Sequence, residues 1–280
     1  MSFKKAFFGL GGGSDFYSAC VLAQDSESMI VTTLSPIVTD QKINVEETIN
    51  KYTGKRSISN STAIQKSKYD HFVVRESDNE WPILVDSRRV NSFGIIIPSR
   101  ECVRERAACQ ALLISLMGPS PHIVAVDTGG DCLRGIVAGM GDRDLSYLYG
   151  GVDTRDADCI EILKNIPGLE SFTLYVMGPG SDGETTGDAL CNALHDLEQN
   201  LVKGVILKSV GKMEDFQPAM NRLDGWKQPV PGSTLDNIRR AMMVGDDELV
   251  EIIRVGKAID YVKARFLSSY WVMEITNSPT

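Results

Sequence analysis

The sequence predicts an α/β protein, Rossmann-like, with a mostly parallel sheet and helices on both faces. Three observations predict it. First, His122-Ile123-Val124-Ala125-Val126 is an unbroken apolar run entered from Pro119-Ser120-Pro121, as expected of a strand buried on both faces. Second, that run turns directly into Asp127-Thr128-Gly129-Gly130-Asp131, so polar groups and glycines stand where the strand ends. Third, the same arrangement occurs twice more. Ala6-Phe7-Phe8-Gly9-Leu10 leads into Gly11-Gly12-Gly13-Ser14-Asp15, and Phe172-Thr173-Leu174-Tyr175-Val176-Met177 leads into Gly178-Pro179-Gly180-Ser181-Asp182-Gly183-Glu184. Ligands of open α/β sheets gather at the carboxyl ends of the strands. The three loops are therefore expected to meet at one sheet edge and form one polar site.

The elements follow in order. Residues 3–10 read as the first strand and residues 15 to about 23 as the helix behind it, with Ser14 or Asp15 able to cap its free amides. Residues 28–34 read as a second strand, closed by Ser35-Pro36. Residues 40–70 are polar and read as a long loop or meander. Short strands at 71–75 and 83–85 and a further strand at 94–98 make the stretch from about 40 to 98 a β-rich insertion. Helical apolar spacing from 101 to 117 stops at Gly118-Pro119. After the central strand, residues 135–151, holding Gly139, Gly141, Gly150 and Gly151, are too long for a routine βα connection, the pattern of a lid or binding loop. Asp153-Thr154-Arg155-Asp156 opens a helix reaching about 165, and strand 171–177, the third loop and a helix over 184–200 continue in βα order. A short strand at 205–207 precedes a helical C-terminal portion, about 212–265, with helices at 212–222, 234–244 and 246–263. Residues 269–275 alternate and close the sheet. No repeat or linker divides the chain, so one domain, residues 1–280, is expected.

Composition restricts the function. With 42% hydrophobic and 24% charged residues the chain has the make-up of a folded globular protein, and its formal net charge of -8 argues against general nucleic-acid binding. No apolar run reaches the roughly 18 residues of a membrane helix, and glycines interrupt any signal-peptide core, so a cytoplasmic protein is expected. The six cysteines show no C-x-x-C pair and read as core thiols, Cys132 alone following an acidic loop. Of the three histidines, His122 begins a buried strand, His71 adjoins Phe72 and His195 lies in a helix, so a Ser–His–Asp or zinc-hydrolase arrangement has no support.

The loops themselves carry the chemistry. Glycine lets the backbone approach a ligand, and the helix N-terminus that follows favours phosphate. Carboxylates there repel a bare phosphate, which points to a bridging cation or to sugar hydroxyls. Asp15, Asp127, Asp131, Asp182 and Glu184 form an oxygen set suited to magnesium or manganese, with Asp127, Asp131 and Asp182 as the candidate ligands of the divalent metal. Asp127, Asp131 and Glu184 are the candidate catalytic groups, with Glu184 or Asp15 as general base. Gly11, Gly12, Gly13, Ser14, Asp15, Gly129, Gly130, Gly178, Gly180 and Ser181 are the candidate ligand-binding residues. Each acid also has a plain structural use, as a helix cap or a loop-pinning acceptor.

These loops resemble the signatures of the uncharacterised family called domain of unknown function 1152, which read approximately G-G-G-G-D, V-D-x-G-G-D and G-x-G-x-D-G-E, in the same order and at similar spacing. Ser14 stands in place of a glycine. Gly151-Val152-Asp153-Thr154-Arg155-Asp156 occupies the place of a Ser-Pro-Leu-x-Asp segment, and Pro231-Gly232-Ser233-Thr234 the place of a Thr-Glu-Ala-Ser segment. The resemblance implies a Rossmann-like fold and no activity.

The leading expectation is an enzyme, a metal-dependent hydrolase or transferase, acting on a nucleotide or phosphorylated sugar. The second is a non-catalytic sensor of such a ligand, its acids holding hydroxyls without metal. The third is an NAD- or S-adenosylmethionine-dependent enzyme, resting on Gly9-x-Gly11-x-x-Ser14. It lacks the ribose-binding acid at the end of the second strand, where Leu34-Ser35-Pro36 stands. The sequence leaves a homo-oligomer open.

Overall fold

The computed structural model describes residues 5–10, 14–23, 28–34, 38–39, 42–43, 63–66, 72–75, 84–85, 88–89, 91–96, 103–133, 155–254 and 257–276. The expected loop at 135–151, Gly11, Gly12 and Gly13, His71, Cys102 and most of 40–70 lie outside them.

Among the described residues, eleven strands of four residues or more and five helices of eight or more frame the fold. The strands are β1 (Lys5–Gly9), β2 (Met29–Leu34), β3 (Ala63–Lys66), β4 (Phe72–Arg75), β5 (Asn91–Ile96), β6 (His122–Thr128), β7 (Ser171–Met177), β8 (Val205–Lys212), β9 (Leu249–Arg254), β10 (Lys257–Lys263) and β11 (Ser269–Ile275). The helices are α1 (Ser14–Leu22), α2 (Val103–Met117), α3 (Arg155–Lys164), α4 (Gly187–Glu198) and α5 (Thr234–Ala241). Two-residue strand pairs, Val38–Thr39 with Lys42–Ile43 and Leu84–Val85 with Arg88–Arg89, stand apart from the main sheet.

A nine-stranded sheet runs in the order β8-β11-β7-β6-β1-β2-β5-β4-β3. From β7 to β5 every pairing is parallel. β11 lies antiparallel between β7 and β8, and β4 and β3 add antiparallel strands beyond β5. The fold is thus α/β with a mostly parallel centre. The β-rich region near 40–98 contributes β5 to that parallel centre and β3 and β4 to its edge.

The central strands are apolar throughout because both their faces are covered. Their period of two sorts residues between two cores: Phe8, Ile123, Ala125 and Leu174 pack on one face, with Trp271, while Phe7, Val124, Val126 and Tyr175 pack on the other, with Trp226 and Ile238. Full burial of a side chain such as Phe8 stabilises the fold by about 1.5–3 kcal/mol. α2 and α3 pack together, joined by Gln110 Nε2 to the Ile162 carbonyl at 3.0 Å and by the Arg106–Asp158 ion pair at 3.4 Å. Among the described residues no helix is long and apolar enough to cross a membrane.

The C-terminal portion departs from the expectation of helices. The stretch expected as a helix over 246–263 is an antiparallel hairpin, β9 with β10. Leu249 and Tyr261 face outward while Val250, Ile252 and Val262 are buried, a period of two, and these β-branched residues suit a pleated surface better than a helix. At 212–222, Lys212 still belongs to β8, followed by a 3-10 turn (Met213–Phe216) and a four-residue helix (Gln217–Met220) in whose first turn Pro218 sits. A proline cannot occupy the middle of one continuous helix without removing a hydrogen bond. Further short helices are Asp224–Lys227 and Ala264–Leu267.

Candidate functional site

Chain order reverses at β1: β2 and β5 lie to one side and β6 and β7 to the other. A crevice opens at such a reversal, outside the carboxyl ends of the strands. The first and second acidic loops leave β1 and β6 at that place.

Gly9 lets α1 close over the strand end, since a Cβ there would fall 2.6 Å from the Phe16 nitrogen. The close approach brings Asp15 to β6. Its Oδ1 accepts from the Thr128 amide at 2.8 Å, and the Thr128 hydroxyl donates to Ser18 Oγ at 2.7 Å. Asp15 therefore bridges two loops rather than serving only its own helix.

Asp127 is fully buried. Its Oδ1 accepts from the Gly130 amide at 3.3 Å and its Oδ2 from the Cys132 amide at 3.0 Å. These bonds pin the loop and still leave lone pairs on both oxygens. The third carboxylate of the group is Asp156, in the first turn of α3. Carboxylate oxygens of Asp15, Asp127 and Asp156 lie within 4.8 Å of one another, and all three residues are buried.

Burial, then the charges of Asp131 and Asp15, holds the Asp127 carboxyl well above its ordinary range. Burial, then the charges of Asp131, Asp127 and Asp15, does the same to Asp156. Burial and the Asp127 charge push the Cys132 thiol up as well, so this cysteine stays protonated and is a poor nucleophile. Burial pushes the Cys109 thiol up to about 12, in keeping with a core residue.

The third loop meets the second. A Cβ on Gly129 would fall 2.5 Å from Asp182 Oδ2, and Gly129 has a φ of +128°, so glycine is required there twice over. The Gly180 amide donates to the Gly129 carbonyl. Asp182 Oδ1 accepts from the Glu184 amide at 2.8 Å, and Thr186 caps α4 by accepting from Ala189 at 3.3 Å.

The three loops thus converge, with an altered membership. Of the expected metal set, Asp127 belongs to the close group, whereas Asp131 adjoins it beside Asp156 and Asp182 adjoins it across Gly129. Asp15, expected as base or ligand contact, belongs to it. Gly130, Gly178, Gly180 and Ser181 line the same pair of loops, and Ser14 opens α1. Glu184 stands half-buried beyond Asp182. The sequence marks Asp156 as a residue opening a helix and as the end of the segment in place of Ser-Pro-Leu-x-Asp, not as a member of the site. The signal for it lies in topology: a helix that follows a parallel strand starts over that strand's carboxyl end.

His122 sits at the opposite end of β6, with Nδ1 2.8 Å from Ser171 Oγ and Nε2 3.4 Å from Glu170, and His195 is exposed on α4. At the end of β2 the Thr33 hydroxyl bonds to the carbonyls of Gly9 and Leu10, where a ribose-binding acid would otherwise stand. No family model matches the chain, nor does any curated protein or solved structure.

Proposed function

We propose that this chain is a Rossmann-like enzyme that holds a divalent cation, magnesium or manganese, in an acidic crevice and acts on a nucleotide or phosphorylated sugar. One observation carries the reading: three buried carboxylates, Asp15, Asp127 and Asp156, with oxygens within 4.8 Å of one another. Carboxylates so close and so dry cannot all ionise without a counter-charge, and an all-oxygen donor set suits a hard cation. The strand order supports the rest. Outward from β1 it runs β2, β5 on one side and β6, β7 on the other, as in doubly wound nucleotide-binding sheets, and the carboxylates stand at the reversal.

In this reading Asp15, Asp127 and Asp156 hold the cation, which offsets the repulsion a phosphoryl group would meet from the carboxylates and polarises it. Asp131, half-buried beside Asp156, is the group placed to take a proton from water or a ligand hydroxyl. The likeness of the three loops to domain of unknown function 1152 belongs to the same reading and adds no activity to it.

The test is a manganese titration of the wild type, Asp15→Asn and Asp156→Asn, followed by isothermal calorimetry. Saturable binding that both substitutions remove is expected. Wild-type affinity retained in Asp156→Asn would overturn the ligand set. Turnover of nucleoside diphosphates or sugar phosphates that stops on adding chelator is the further expectation; stabilisation by such a ligand in chelator without turnover would make the protein a sensor instead.

A further inference from the structure

Helix α5 grips the third loop with two consecutive residues. The Ile238 side chain lies against Gly178. Asn237, only 1% exposed, reaches further. Its Nδ2 donates to the Ser181 carbonyl at 2.9 Å and to the Ile253 carbonyl at 3.0 Å. Its Oδ1 accepts from the Ile253 amide at 3.3 Å and from Arg240 Nη1 at 3.2 Å. Both amide hydrogens and the carbonyl oxygen are employed, a combination that neither a carboxylate nor an alkyl side chain reproduces.

The bonds continue from Ser181 toward the carboxylates. The neighbouring Gly180 amide donates to the Gly129 carbonyl, the neighbouring Asp182 side chain lies against Gly129, and the Gly130 amide donates to Asp127 Oδ1. The loop's own buried hydroxyls contribute nothing to its anchoring, since Ser181 Oγ and Thr185 Oγ1 have no hydrogen-bond partner among the described residues.

We infer that Asn237 is a positioning residue of the acidic site: it ties the 178–186 loop to the β9–β10 hairpin and thereby sets the backbone that carries Asp127. The hairpin is then part of the site's support rather than a peripheral addition. The claim about the loop stands on the hydrogen bonds alone; its consequence for a cation rests on the proposed function.

Hydrogen exchange by mass spectrometry on the full chain tests it, with three variants. Asn237→Ala removes every bond. Asn237→Asp keeps the acceptor toward Ile253 and Arg240 but loses both donations. Arg240→Ala keeps the donation to Ser181. Amides of 178–184 and 129–133 are expected to exchange about tenfold faster in both Asn237 variants. In Arg240→Ala they are expected to exchange as in wild type, and β1 and β2 should be unchanged in all three. Wild-type exchange of 178–184 in Asn237→Asp would overturn the inference, as would a uniform rise that includes β1. Should Asn237→Ala fail to fold, Asn237→Asp against Arg240→Ala decides the matter. Manganese affinity is expected to fall about tenfold in Asn237→Asp, the scale of losing an outer support of a metal site. If the wild type binds no manganese, the cation reading fails while the exchange pattern still decides the role of Asn237.

Discussion

Two neighbouring strands end in loops of the same composition and yield carboxylates of opposite character. β6 and β7 pair residue for residue, Asp127 opposite Val176. Asp127 is still within its strand, so its carboxyl is enclosed by the sheet, by α1 and by α3, and three other acids shift it upward. Asp182 follows the end of β7 by several residues, is half-buried, and engages the amide two residues on. A carboxylate in the last turn of a parallel strand inherits the burial of the sheet, whereas one in the loop beyond can close a turn and remain partly hydrated. The first arrangement is costly without a counter-charge; the second is an ordinary loop device.

The largest consequence is in metal binding. Asp127→Asn should lower manganese affinity by more than about 100-fold, beyond what outer-shell changes cost, while Asp182→Asn changes it only a few-fold. Equal losses in calorimetric titrations of the two variants would erase the distinction between the strands.

Much of this was legible before the structure. The β1, β2, β6 and β7 strands announce themselves as apolar runs, and the acids that follow β1, β6 and β7 mark the edge where those three loops meet. Two things were not legible, for physical reasons. Residues 249–263 contain apolar pairs such as Leu249-Val250 and Ile252-Ile253, which satisfy helical and strand periods alike until a core selects one face. Asp156 sits in a helix start, where an acid is favoured by the helix dipole regardless of any site. Nothing local distinguishes that use from membership of a buried carboxylate group, because the distinction depends on Asp15 and Asp127 arriving from other strands.

A second way to sharpen the comparison is to press the two loops against each other. Gly129→Ala places a Cβ against Asp182 Oδ2 at a φ of +128°. Strain and overpacking together should cost about 3 kcal/mol in urea unfolding. Adding Asp182→Gly removes both the carboxyl and the Cβ that the new methyl would meet, but not the backbone strain, so the double variant should recover about 1 kcal/mol. Strict additivity would mean that the two loops do not touch in solution.

The buried partner should also leave a mark on pH dependence. Because burial and neighbouring charges raise Asp127 and Asp156, the metal-free folded chain retains protons that the unfolded chain has released above about pH 4. Their contribution to stability is complete below the unfolded value and is lost as pH rises through the folded value. Without metal, wild type should therefore lose stability relative to Asp127→Asn as pH rises, and saturating manganese, which favours the ionised forms, should reverse the slope. A pH-independent difference in urea midpoints would deny Asp127 its raised protonation.

The smallest effect belongs to Asp182 alone. Its carboxylate accepts from the Glu184 amide, a bond that closes a turn within its own loop. In Asp182→Asn the side-chain oxygen can still accept that bond, so metal-free stability should change by less than about 0.5 kcal/mol, whereas Asp182→Ala should lose about 1 kcal/mol, the usual worth of such a side-chain-to-amide bond. The asparagine also removes one of the charges that raise Asp127, so the pH slope of the metal-free protein should become slightly shallower. Thermal or urea unfolding of the two variants separates the bond from the charge. If asparagine costs as much as alanine, the charge of Asp182 is itself structural, and the third loop is then more like the second than its half-exposed position suggests.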